Sequence, residues 1–384
     1  MAARVDRGEL PGIVTLVARG GDVRVDAIGV TAVPDTPGYP VGPMRRDTVF
    51  RIASMTKPVL AVVTMMLVED GLLALDEPVD RLLPELAHPR VLARIDGPLD
   101  DTVPADRPVT VEDLLTFRMG HGHLFEPSFD PPFPIVETPK RMRLTLAAPD
   151  PRTPHGPDEW MRLFGSLPLM YQPGERWQYN VGSLVLGVLV ARAAGRPLGE
   201  VFAERLFTPL GMTHTGFHLP ADQVHRLPAF YLVDPGTGRL TPKPVSSPDE
   251  WSKPPVFPSG AGGLVSTVDD FLAFARLLLH RGVHRGTRLL SERSVELMTT
   301  NRLTPGQIAT AGPILAGQGW GYGMSVVTAP DDVTPTPGRY GWAGGYGTDW
   351  FTDPHEGLIA VAMTQVVDFL WNGGMAEFVR LAYR

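Results

Sequence analysis

Ser54 and Lys57 stand three residues apart in Arg51-Ile-Ala-Ser-Met-Thr-Lys-Pro58, where a polar segment turns apolar. Val59, Leu60, Val63, Met66 and Leu67 follow at three- and four-residue steps, the period of a buried helix face. Gly71 is a natural stop, and Pro58 is tolerated only in a first turn. The spacing predicts a helix from about Ser54 with both side chains on one face. A serine hydroxyl is a poor nucleophile until a base takes its proton. A lysine one turn away can take it when burial keeps the amine neutral. A helix N-terminus disfavours a further positive charge and offers N–H groups to a developing oxyanion. Four of the 35 basic residues are lysine, and Lys57 alone among them has a serine three positions before it. The pair also fits a plainer pattern, an N-cap serine with a snorkelling lysine.

Such a pair still needs a group to pass the proton to the leaving group. Tyr179 in Trp177-Gln-Tyr-Asn-Val181 lies between a Pro-Gly turn and a run whose Leu184, Val185, Val188 and Leu189 mark a buried helix ending at Gly195. A tyrosine beside a cationic lysine is expected to have its pKa lowered and can act as acid or base. It reads equally simply as an amphipathic residue at a helix start. The third segment, Tyr340 to Asp353, carries glycines at 341, 344, 345 and 347 around Trp342. That is too many for an efficient interior strand. An edge strand presenting bare N–H groups to an acyl oxygen would account for them, and so would a hairpin turn.

Together the three segments resemble the serine β-lactamase and penicillin-binding protein superfamily, most closely its family VIII, class-C-like carboxylesterases. Ser-Met-Thr-Lys matches the family's Ser-x-x-Lys, Trp-Gln-Tyr-Asn-Val its tyrosine motif, and Trp342-Ala-Gly the Trp-x-Gly that esterase members carry where β-lactamases have Lys-Thr-Gly. Pro209-Leu-Gly-Met and Gly319-Trp-Gly-Tyr-Gly are also similar to the family, so the resemblance covers nearly the whole chain. It implies Ser54 as nucleophile, Lys57 as its base partner and Tyr179 as proton shuttle, with the backbone N–H groups of Ser54 and Gly345 as oxyanion hole. Trp342, Ala343, Gly344, Asn180 and Val181 would bind substrate, and neither cofactor nor metal is implied. In β-lactamases of this type an asparagine two residues after the tyrosine binds the substrate amide. Val181 holds that place here, with Asn180 one position early. Trp-Ala-Gly also lacks the cation suited to a β-lactam carboxylate. Both departures point to neutral, short-acyl carboxylic esters cleaved through an acyl-enzyme on Ser54. β-Lactam hydrolysis, D-amino-acid amidase or peptidase activity, acyl transfer, and ligand binding without catalysis are the alternatives.

The resemblance also implies an α+β, β-lactamase-like fold. A mostly antiparallel sheet flanked by helices is expected beside a second, mostly helical domain, with the site between them. The composition along the chain gives matching boundaries. Residues 1–71 and 259–384 form the sheet domain, from an N-terminal hairpin turning at Gly20-Gly21, the central helix, and strand-like runs at 320–328, 346–352 and 358–364. Residues 72–258 form a mostly helical insert, with only loop assigned over the proline-dense 125–157. The chain before Pro11 is shorter than usual in such enzymes and leaves the sheet's outer cover unassigned. Apolar content of 43%, charged content of 20% and a net charge of −7 with no basic run disfavour nucleic acid as partner. No run approaches the roughly 18 apolar residues of a membrane span. The N-terminus lacks a signal peptide's apolar core, which makes cytoplasm the default expectation. Without cysteine there is no disulfide or thiol nucleophile. His121-Gly-His123 has no carboxylate at metal spacing and reads as pocket lining. A small-molecule ester is the expected partner.

Overall fold

The computed structural model describes residues 1–147, 150–243, 247–330 and 336–384. Alternating apolar residues at the start build the hairpin of β1 (Gly12–Arg19) and β2 (Asp22–Gly29). Five C-terminal strands join it: β3 (Gly319–Trp320), β4 (Ser325–Val326), β5 (Tyr340–Gly344), β6 (Thr348–Asp353) and β7 (Leu358–Met363). The order is β3-β4-β5-β6-β7-β1-β2, each neighbouring pair antiparallel, so the first strand lies against the last, with Val14 opposite Met363.

Both faces of the sheet are covered, and period-two alternation sorts the side chains between them. Val14, Leu16, Trp350, Ile359 and Val361 share one core with α1 (Thr56–Glu69), α2 (Val181–Ala194) and α3 (Val268–Leu279). The Trp350 ring lies 5.4 Å from Phe271 and 5.7 Å from Phe274 of α3. Ile13, Phe351, Ala360 and Ala362 face a second core with Phe378, Val379 and Ala382 of α4 (Gly374–Ala382). The outer cover is therefore the C-terminal helix. The helix before β1, Ala2–Asp6, buries none of its residues.

The stretch from Leu72 to Pro258 is mostly short helices and turns, with small hairpins at Arg90–Leu92/Thr102–Pro104 and Tyr231–Val233/Leu240–Pro242. Residues from 216 onward return to the sheet side. Gly216 bridges Val265, and Tyr231 N–H donates to the Gln365 carbonyl at 2.8 Å. Helix Pro134–Arg141 occupies part of the stretch expected to be all loop, opening on Pro134, whose missing N–H is harmless at a helix start. The run expected as one strand over 320–328 is two two-residue strands around a tight turn. A Cβ on Gly323 there would lie 2.7 Å from the Ala61 Cβ of α1. Among the described residues no single helix is long and apolar enough to cross a membrane.

Candidate active site

Phe50–Arg51 pairs with Val265–Ser266, Ile52 N–H donates to the Leu264 carbonyl at 3.0 Å, and the chain then makes one 3₁₀ turn, Ala53–Met55, before α1. The α-helix thus begins two residues later than its apolar period suggests, with Ser54 in the lead-in turn and Lys57 in the first helical turn. Ala53 holds φ at +42°, a left-handed conformation costing a non-glycine residue about 1–2 kcal/mol.

Lys57 is only 1% exposed. Its Nζ lies 2.9 Å from Ser54 Oγ and donates to the Ala261 carbonyl at 2.6 Å. Ala261 sits in Ser259-Gly-Ala-Gly-Gly263, a run legible in the sequence only as the lead-in to α3. A Cβ on Gly260 would lie 2.7 Å from the Ser183 carbonyl oxygen of α2. The glycine therefore lets the loop press on α2, and the glycine density was the signal for this missed member of the site. Burial pushes the Lys57 amine well below its ordinary value, towards the neutral form that can accept a proton.

Tyr179 is clamped by aromatic rings. Phe117 meets it edge-on at 5.6 Å, Trp177 stacks on it at 5.6 Å, and Lys57 Nζ stands 4.6 Å from its ring centroid. The hydroxyl is hydrogen-bonded to the Ser54 side chain and accepts the Trp342 indole N–H at 2.8 Å. Burial pushes the Tyr179 hydroxyl up to about 12, outweighing the downward pull of those two bonds. This reverses the expected lowered pKa. That expectation required a cationic lysine, and Lys57 is itself driven towards neutrality.

Trp342 to Gly344 end β5. The short β4 pairs only with Tyr340 and Gly341, so these three residues keep an open edge although the sheet continues beyond them. A Cβ on Gly344 would lie 2.2 Å from the Ile52 carbonyl oxygen. Only glycine lets the strand approach the chain just before Ser54 so closely. Ser54, Tyr179, Trp342, Ala343 and Gly345 line one cavity of about 330 Å³, whose other walls include Ile314, Leu315, Trp371 and Met375. Asp349, opposite Ala343, also lines it; burial pushes this carboxyl up to about 7, against the pull of Arg339.

Three sequence-predicted substrate contacts lie off this cavity: Gly344, pressed against Ile52, and Asn180 and Val181. Asn180 directs its amide nitrogen to the carbonyls of Leu146 at 2.5 Å and Ala147 at 3.1 Å, so its donor side anchors a loop. Its backbone, at φ 86° and ψ −55°, is close to the rare classic γ-turn. Val181 opens α2 and lines a neighbouring cavity of about 470 Å³ with His121, His123 and Met170. His123 Nδ1 lies 2.7 Å from Asp130 Oδ2. His121 is buried with neither ring nitrogen partnered among the described residues, and burial takes its pKa down to about 4. Among the described residues no three histidine, aspartate or glutamate side chains are placed to hold a metal ion together.

A neutral amine 2.9 Å from a serine hydroxyl can take its proton, and a protonated phenol bonded to the same serine can pass one on. Fold and site define a serine hydrolase of the β-lactamase class. The family model described as Beta-lactamase matches residues 1–380, and the chain belongs to that family. It is 41% identical to Protein Rv1367c of Mycobacterium tuberculosis, over 94% of this chain and 87% of that protein. It is 31% identical to Esterase EstB of Burkholderia gladioli, over 95% and 90% of the two chains. Among solved structures, EstCE1, a hydrolase with promiscuous acyltransferase activity, superposes with a TM-score of 0.78 at 26% identity, covering 99% of this chain and 95% of the other.

Proposed function

We propose that this protein is a carboxylesterase that cleaves neutral, short-acyl esters through an acyl-enzyme on Ser54. The observation that carries the reading is the contact chain Lys57–Ser54–Tyr179–Trp342, with Lys57 driven neutral and Tyr179 held protonated. Lys57 takes the Ser54 proton as Oγ attacks the ester carbonyl carbon. The N–H groups of Ser54 and Gly345 receive the oxyanion. As the carbon–oxygen bond to the alcohol breaks, Tyr179 gives its proton to the leaving oxygen and is reprotonated from Lys57. Water then repeats the sequence in reverse and releases the acid.

The cavity size supports short acyl groups, since 330 Å³ is at the small end of the roughly 300–1,000 Å³ of ligand pockets. Its Ile314, Leu315, Trp371 and Met375 walls support an uncharged, apolar ester. The same walls favour a second fate for the acyl-enzyme, transfer to an apolar alcohol instead of water. EstCE1, described as having promiscuous acyltransferase activity, supports keeping that reading. A fluorophosphonate probe tests the nucleophile: wild type is expected to be labelled once, and a folded Ser54→Ala protein not at all. Full labelling of Ser54→Ala overturns the assignment.

A further inference from the structure

A cavity of about 860 Å³ lies between the β1–β2 turn and α3 and shares no lining residue with the Ser54 cavity. Its walls carry four arginines and two aspartates, on a chain whose net charge is −7. Two of its four arginines are neutralised. Arg46 forms a two-pronged pair with Asp269, both contacts 2.7 Å, and Arg19 meets Glu356 at 3.1 Å. The remaining acid, Asp270, is 7% exposed and already accepts the His214 N–H and the Thr215 hydroxyl. Arg276 and Arg285 are left with no ion pair or side-chain hydrogen bond among the described residues, beside His280 and His284.

The crowding is mutual. Burial and the charges of Arg285, Arg276 and His280 together hold His284 below the ordinary imidazole value, and its Nε2 is enclosed without a partner among the described residues. The C-terminal end of α3 offsets only about half an elementary charge of the two guanidinium groups. A dianion would complement the two guanidinium groups. A phosphate monoester carries about −1.5 to −2 at neutral pH and presents three acceptor oxygens to the flat donor forks of arginine. Beside the cations the wall is apolar, from Leu272, Leu279 and Ile359.

We propose that this cavity binds an organic phosphate monoester, the phosphate between Arg276 and Arg285 and a short apolar body over Leu272 and Leu279. Titration calorimetry of the intact protein with octyl phosphate, octanoate and inorganic phosphate tests it. Saturable one-to-one binding of octyl phosphate is expected, about tenfold or more tighter than octanoate, and weakened about 100-fold in Arg276→Ala/Arg285→Ala, since each lost charged contact is worth about tenfold. Hydrolysis of p-nitrophenyl butyrate by that variant should be unchanged. Arg285→Glu, on an exposed hairpin tip, gives a second variant should the double one misfold. Sedimentation with vesicles containing phosphatidic acid, lost in the variants, assigns the phosphate to a lipid headgroup. Binding of octyl phosphate without vesicle binding assigns it to a soluble ester. No saturable binding of octyl phosphate, or binding unaltered by either variant, overturns the proposal.

Discussion

On the proposed mechanism Lys57 is the residue on which the chemistry turns, and its burial makes claims about rate and stability alike. Arginine cannot give up its proton at working pH. Lys57→Arg is therefore expected to lose about 10²–10⁴ in kcat, close to Lys57→Ala. An arginine variant within about tenfold of wild type would hand the base role to Tyr179. Because the reacting form is the neutral amine, kcat/KM should rise with pH through the lowered Lys57 value. It should show no falling limb from Tyr179 below about pH 10, since burial pushes that hydroxyl up to about 12. The stability sign follows from proton counts. Between the lowered folded value and the ordinary lysine value the unfolded chain binds the extra proton, so this site favours folding more as pH rises. Whatever offset Lys57→Met has at neutral pH, wild-type stability should gain on it steadily as pH rises towards 10, measured by urea titration. Parallel stability curves would show that Lys57 is not depressed. Trp342→Phe removes one hydrogen bond from the Tyr179 hydroxyl, and a kcat loss of about tenfold with little change in melting temperature is expected.

The elements carrying these residues differ in how openly the sequence declared them. The helices α1 and α2 stand out in the sequence as long apolar runs because both are buried almost all round, and Thr110, Thr267 and Ser291 cap their helices as their residue types suggest. Ser54, Lys57 and Tyr179 could be singled out in the sequence because each sits at the boundary of such a helix. The 3₁₀ lead-in at Ala53–Met55 was not, because a one-turn element has no period to detect. Neither was the use of Asn180 on the carbonyls of Leu146 and Ala147, nor the Ala261 carbonyl over Lys57. Backbone acceptors leave no residue type to read, and the loops meet only through tertiary packing. The glycines of β5 were visible as an anomaly, and the Gly344–Ile52 approach explains one of them. Gly344→Ala should push the strand away from Ser54, costing about 1–3 kcal/mol of stability and more than tenfold in kcat. A fully active, equally stable Gly344→Ala protein would show that the close approach is not needed.

For the whole molecule, the open question is which acyl compounds the cleft admits. Val181 lies off the Ser54 cavity, Asn180 is committed to a loop, and Trp342 donates to Tyr179, so none of the three offers a charged group to a substrate carboxylate. p-Nitrophenyl butyrate should surpass a chromogenic cephalosporin in kcat/KM by about 10²-fold or more, each missing charge-assisted contact being worth about 1.5–3 kcal/mol. A cephalosporin turned over as well as the ester would overturn that ranking. The strand order has a consequence in time as well as in space. Val14 leaves the ribosome near the beginning of synthesis and finds its partner Met363 near the end. At about 5–20 residues per second, the growing chain waits tens of seconds before its sheet can close. Ser54 and Lys57 are made early in that interval, Trp342 and Gly345 late in it. On the proposed mechanism the nascent chain therefore carries Ser54 and its base long before the oxyanion donor at Gly345 and the Trp342 partner of Tyr179, and acyl chemistry begins only when synthesis is nearly over.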